Sequence, residues 1–244
     1  MKKLLLIVTT FLLSLWVRAD VTVTDQVLQK GLFLSSDCKV GKKKKVAAEC
    51  LCKADIHYPA ISGLENNSAQ SQLNQKLKTT AESGKCEGKP IIVAEQTTQN
   101  SADSNFEVTF RSDSILAIAV QSYSYGSGAA HGLESVEGII ISKKMGQVLS
   151  VNDIFGGNIA QVNQSIYDQL KSRDDIFADD VEKLKGKFVL DNQCNSCTLL
   201  VAKEGVKVIF MAYAVAPFSS GMPEVIIPKE YIADAAIIES MDKK

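Results

Sequence analysis

NFEVTFRSDSILAIAVQSYSYGSGAAHGLESVEGIIIS, residues 105–142, is the stretch that decides the fold class. Phe106, Val108 and Phe110 alternate with Glu107, Thr109 and Arg111, the period-two pattern of a strand with one dry and one wet face. Residues 115–120, ILAIAV, are apolar at every position, so that strand is expected to be covered on both sides. Together with 90–97, the segments 105–111, 114–125 and 133–142 read as four successive strands joined mostly by short turns. Consecutive strands without intervening helices cannot form βαβ crossovers. The expected class is therefore α+β, with mixed, mainly antiparallel sheets and a few helices.

Outward from that block, residues 66–83 carry the first helical pattern. Ala69, Leu73, Leu77 and Ala81 recur at intervals of four, and Asn67 with Gln70 suggests the cap. Before it, 32–36 and 46–58 read as strands flanking the basic turn Gly41-Lys42-Lys43-Lys44-Lys45, a solvated tip whose like charges oppose edge pairing. After it, a break at 143–147 precedes a second helix at 158–171. Asn158 and Gln161 are placed as its cap pair, and Ile159, Val162, Ile166 and Leu170 share one face. A lesser helix at 177–184, strands at 187–191, 198–202 and 206–215, and a C-terminal helix at 228–238 opened by Pro228 complete the reading. The organisation expected is two closely packed lobes, 20–142 and 143–244.

With 27 basic and 28 acidic residues the chain has a formal net charge of −1, which excludes the basic footprint of a nucleic-acid binder. Lys2 and Lys3, the apolar run 4–17 and Val17-Arg18-Ala19 have the form of a signal peptide over 1–19. A run of fourteen residues, interrupted only by Thr9, Thr10 and Ser14, at about 1.5 Å each falls short of a bilayer core of roughly 30 Å, so cleavage is favoured over a permanent anchor. Cleavage removes three cations, no acid and the single tryptophan, Trp16, leaving 24 basic and 28 acidic residues, a net −4. No later run approaches 18 apolar residues, so no transmembrane span is expected after cleavage. The location implied is periplasmic or secreted, in a bacterium.

All six cysteines, Cys38, Cys50, Cys52, Cys86, Cys194 and Cys197, lie beyond the signal, and an even count in an oxidising compartment points to disulfides. The close spacing of Cys194 and Cys197 favours a local bridge; the other four allow several pairings, with Cys86 tied to the N-terminal hairpin. A redox CxxC requires a helix N-terminus, whereas Cys197 opens a β-rich stretch. A zinc site of Cys50, Cys52, Cys194 and Cys197 has the right ligand number at an uncommon spacing. No metal and no cofactor are expected.

Four blocks, in order, resemble the extracellular domain family of the anti-sigma factor RsiV and the N-terminal region of the deacetylase PdaC. The first is Ile56, Tyr58, Pro59, Gly63, Leu64, Leu73 and Asn74; the second is YGSGAAHG, 125–132. The third is Gly146, Val148, Leu149, Val151, Asp153, Ile154 and Phe155, and the fourth is YAVAPFSSGMPEVIIPKEYI, 213–232, with an aliphatic-Pro strand end. Ser127 and Ala129-Ala130 depart from the paired glycines of that family, and the cysteines lie outside its pattern. The resemblance implies two α+β lobes, but it carries over neither the cytoplasmic anti-sigma activity nor the deacetylase activity. Its RsiV member binds lysozyme, which implies recognition of a lysozyme-like muramidase or a cell-wall component.

No Gly-x-Ser-x-Gly elbow, HExxH or glycine-rich phosphate loop occurs, so the sequence reads as a non-catalytic binding module. The alternative is an enzyme or accessory domain acting on peptidoglycan or another envelope glycan. His57 lies inside a strand pattern and reads as a half-buried strand residue, and His131 as a loop residue bonding nearby carbonyls. Asp174-Asp175 and Asp179-Asp180 lack the alternation of a calcium loop and read as a solvated helix boundary. Two loops at the ends of apolar strands are the expected recognition surface. Tyr125, Gly126, Gly128, His131 and Gly132 form one, and Tyr213, Pro217, Phe218, Ser219 and Gly221 the other. Pro217 and Pro223 stiffen the second, between an apolar Phe218 and Met222.

Overall fold

The computed structural model of the chain describes residues 20–39, 46–92, 97–190 and 193–242. The expected signal peptide, the 41–45 turn, residues 93–96 and Asp191 lie outside the described residues. The principal sheet holds β1 (Thr22–Leu34), β2 (Leu51–Ser62), β3 (Lys89–Ile91), β4 (Asn100–Arg111), β5 (Ile115–Tyr125), β6 (Leu133–Ser142) and β7 (Gln147–Val148), in the spatial order β3-β1-β2-β4-β5-β6-β7. Its ladders are antiparallel except β2–β4, the pair that α1 (Asn67–Ser83) separates in sequence. The C-terminal part adds α2 (Val151–Phe155), α3 (Ile159–Leu170), α4 (Ala178–Leu184) and the two-residue pair β8 (Val189–Leu190) and β9 (Gln193–Cys194). It closes with an antiparallel sheet of β10 (Cys197–Ala202), β11 (Gly205–Phe210) and β12 (Glu224–Pro228), followed by α5 (Ala235–Asp242). The fold is α+β, and β7 carries the principal sheet past residue 142.

Strand β5 explains the layering. Leu116, Ile118 and Val120 point to α1, where Leu73 and Leu77 are buried against them. Ile115 and Ala117 point the other way, into a core with Phe155, Ile166, Phe188, Val208 and Phe210. Each fully buried aliphatic or aromatic side chain is worth about 1.5–3 kcal/mol, so the six apolar residues of 115–120 anchor both halves at once. The second sheet touches the first at β6. There Gly138 lies against the Leu199 carbonyl, which would stand 2.0 Å from a Cβ, and its N–H donates to Thr198 Oγ1 at 2.7 Å.

Several local expectations are corrected. Strand β1 begins at Thr22 rather than 32, because twelve residues of pairing with β2 hold a segment whose own side chains are mostly exposed. A 3-10 turn at Ala48–Cys50 displaces the start of β2 from 46 to Leu51 and carries its end to Ser62. The alternation in β4 breaks at a bulge between Val108 and Phe110. Phe110 thereby turns from the α1 side, where Phe106 and Val108 pack, to the opposite core.

Both helix caps shift. Asn66, not Asn67, accepts from Ala69 N, and Gln70 instead accepts from Leu64 N. Asn158 makes no cap and donates to the Tyr231 carbonyl, since α2, with its Ser150–Asp153 capping box, already leads into α3. Strand 206–215 stops at Phe210, where the chain turns toward Tyr213 at φ +67°. Pro228 ends β12 instead of opening the last helix, as the aliphatic-Pro block implied; Asp234 Oδ1 receives Ile237 N at the start of α5.

The disulfides are Cys38–Cys50, Cys52–Cys86 and Cys194–Cys197. Cys86 is thus tied to β2, and Cys194 and Cys197 flank a tight turn in which Ser196 has φ +54°. The four-cysteine zinc alternative is overturned, since its thiols are all committed to bridges.

Candidate binding site

The two loops that the sequence singled out meet. The first leaves β5 through a turn closed by Ala129 N to the Gly126 carbonyl at 3.0 Å, with Gly128 at φ +85°. Its tip is pinned to the chain before β4: Ser127 N donates to Asn100 Oδ1 and its hydroxyl to Gln99 Oε1, both at 2.7 Å. Tyr125 turns its hydroxyl back to the Ala129 carbonyl. The Tyr123 phenol packs directly on Gly132, where a Cβ would lie 2.2 Å from it and would displace the ring.

The second loop runs from Phe210 to Pro223, whose carbonyl accepts from Phe210 N at 2.8 Å and closes its base. Pro217, extended at φ −65° and ψ 159°, starts the 3-10 turn Phe218–Ser220, which ends at Gly221 with φ +68°. Ser219 is exposed, and Met222 folds under the turn against Ala119, Val136 and Leu200.

His131, Phe218 and Tyr213 form the contact. The His131 ring stacks on Phe218 with centroids 3.7 Å apart and 18° between planes, and Tyr213 stands 5.8 Å from Phe218. His131 Nδ1 lies 2.9 Å from the Gly132 carbonyl, an oxygen that can only accept, so that nitrogen carries the proton. Nε2 then accepts from the Tyr213 hydroxyl at 2.7 Å. Tyr213 remains 52% exposed. Tyr125, Gly126 and Gly128 stand on the Asn100 side of the first loop, outside this stack.

Sequence reasoning missed what lies beside the loops. The wet face of the principal sheet, beyond the part covered by β10–β12, opens as a cleft of about 860 Å³. Asp55, Asp103, Tyr123 and Glu134 form one cross-strand row through β2, β4, β5 and β6. The signal available was the polar alternation Asp103, Asn105, Glu107, of which the sequence reading took only Glu107, as part of a wet face. His57 also lines this cleft. It is the half-buried strand residue expected, and in addition its Nδ1 lies 2.7 Å from Asp25 and its Nε2 2.9 Å from Asp55. The Asp pairs are helix-boundary residues, with Arg173 forked onto Asp175 and Lys183 on Asp180. Among the described residues no group of three His, Cys, Asp or Glu is arranged to hold a metal ion, and no helix is long and apolar enough to cross a membrane.

The family described as Deacetylase PdaC matches residues 45–134. Over that segment the chain is similar to the PdaC family. Two solved structures share the whole fold. A DUF3298 family member from Bacteroides fragilis NCTC 9343 superposes with TM-score 0.57 at 14% identity, covering 93% of this chain and 99% of its own. A DUF3298 protein from Pseudomonas aeruginosa PAO1 gives 0.50 at 15%, covering 90% and 97%. At such identities the likeness shows the fold alone. No curated protein matches. The matched segment holds the first loop and the whole Asp55–Asp103–Tyr123–Glu134 row, whereas Tyr213 and Phe218 are supplied from beyond it. The three disulfides point to a non-cytoplasmic location.

The hydrogen bonds to Asp25 and Asp55, opposed by partial burial, raise His57 above the ordinary imidazole value. Asp55 is held below the ordinary carboxylate value by His57 and by Lys30. A raised histidine stabilises the fold fully below its unfolded value of about 6.5, and that contribution is lost as pH rises through the folded value. Thermal melts from pH 5 to 9 should therefore show a fall above pH 6.5 that His57→Gln removes. An unchanged slope in the variant would assign the fall to other groups.

Proposed function

We propose that the chain is an exported, non-catalytic binding module of the bacterial cell envelope, periplasmic or secreted, that recognises a lysozyme-like muramidase through loops 125–132 and 213–223. The observation that carries this is the stack of His131 on Phe218 with Tyr213 bonded to His131, which locks two loops from distant parts of the chain into one surface. A surface held this way loses little conformational entropy on binding. Tyr213 offers a half-exposed ring and a hydroxyl that, while donating to His131, still accepts from a partner. Both His131 nitrogens are occupied, so the ring is engaged in structure rather than placed to take a proton from a substrate. The net −4 expected after signal cleavage suits a basic partner and would chiefly raise the association rate.

Phe218→Ala tests the reading. Titration against basic muramidases should show binding weakened by about 1–3 kcal/mol with the melting transition retained. Collapse of the melt would make Phe218 a core residue instead. Wild-type protein that binds no muramidase tested, or that releases sugar or acetate from labelled peptidoglycan, would overturn the proposal.

A further inference from the structure

The open half of the principal sheet is an unpartnered face with a marked charge asymmetry. Among the described residues, six carboxylates line its cleft, namely Asp25, Asp55, Asp103, Glu107, Glu134 and Glu224, and the one lysine, Lys207, is paired with Glu224 at 2.8 Å. His57 serves Asp25 and Asp55. The side-chain carboxylates of Asp103, Glu107 and Glu134 engage no hydrogen bond or ion pair among the described residues. In the row Asp55–Asp103–Tyr123–Glu134, a tyrosine face stands between carboxylates on neighbouring strands about 4.8 Å apart. That arrangement suits a planar cation, which an aromatic face and flanking carboxylates attract together. The floor beyond it is apolar, formed by Ala119, Val136, Leu200, Ile209 and Met222. A segment with cationic tips and an aliphatic stem matches both halves. The sign excludes phosphate-bearing and acidic ligands, and a second copy of this chain would bring the same negative face.

The cleft is also continuous with the loop surface. Tyr123 packs on Gly132, next to His131, and Met222 and Glu224 follow directly from the loop that carries Phe218. We propose that this cleft takes an arginine- or lysine-bearing segment of a protein partner, whose cationic side chains enter between Asp103 and Glu134 over the Tyr123 ring. The inference rests on the binding-module reading and adds the chemistry of the partner.

The experiment measures fluorescence anisotropy of a labelled nona-arginine peptide with the full chain at 50 and 300 mM salt, and binding of a basic lysozyme in parallel. The wild type should bind the peptide, with affinity falling at least tenfold at the higher salt. Asp103→Asn with Glu134→Gln should weaken it at least tenfold without lowering the melting temperature. Glu204→Gln, in the exposed turn between β10 and β11, should leave it unchanged. Equal binding by the double variant, equal weakening by Glu204→Gln, or binding of spermine without binding of the peptide would overturn the inference. Lysozyme binding that depends on Phe218 but not on the carboxylates would end this inference and keep the muramidase reading. Carboxylate-dependent peptide binding without lysozyme binding would do the reverse.

Discussion

Phe210→Ala is expected to destabilise the chain by about 3–5 kcal/mol, the range for deleting a buried phenyl ring. Phe210 is fully buried, meets Phe188 edge-on at 5.9 Å, and is the last residue of β11. Its ring fills the core that α2, α3, β5 and β11 share, and the neighbouring backbone is held by sheet pairing and cannot collapse into the space. For a chain of this length the loss corresponds to roughly 6–20 °C in melting temperature. Its backbone N–H closes the base of the second loop on Pro223, a bond that the alanine variant keeps. Urea unfolding measures the effect, and Phe210→Leu, which keeps most of the volume, should lose distinctly less. A loss below about 1 kcal/mol for the alanine variant would show that the core repacks.

Removing the Cys52–Cys86 bridge is expected to cost about 3–4 kcal/mol in the chain-entropy account, because it closes 34 residues of sequence including all of α1. The double variant Cys52→Ser with Cys86→Ser isolates this bridge from the other two. Gln29 moderates the loss: its amide donates to the Cys86 carbonyl at 2.9 Å and accepts from Cys86 N at 2.8 Å, holding that segment beside β1 without the bridge. Cys194→Ser with Cys197→Ser should cost much less, since those cysteines are three residues apart and the bridge removes little freedom from the unfolded chain. Melts with and without reductant should place the larger drop on the Cys52–Cys86 pair. Equal effects of the two double variants would show that loop length does not govern stability here.

How much was legible follows from the range of the interactions involved. Strands β5 and β6 were read almost to the residue, because apolar runs and the turn residues that bound them are properties of neighbours in sequence. The Cys194–Cys197 bridge was legible for the same reason: two thiols three residues apart have little choice of partner. The pairing of Cys38 with Cys50 was not, since it depends on how β1 and β2 are registered. The α1 cap was legible in kind but off by one residue, because Asn66 and Asn67 offer the same chemistry and only the entry angle from Leu64 selects between them. Strand β1 was invisible over its first ten residues, where polar side chains are held extended by a partner strand rather than by a hydrophobic period.

For the site, the sequence by itself determined the ingredients: two short loops after apolar strands, one with a histidine among glycines and one with a phenylalanine between prolines. Residue type and spacing state such things, because turn chemistry is local. Only the tertiary structure decided that the loops meet, with rings from residues 131 and 218 stacked at 3.7 Å, and that Asp55, Asp103, Tyr123 and Glu134 fall into one row. The physical reason is register. One strand shows which of its own side chains share a face, but which rows they form, and which loop ends they bring together, is fixed by hydrogen bonding to strands tens of residues away.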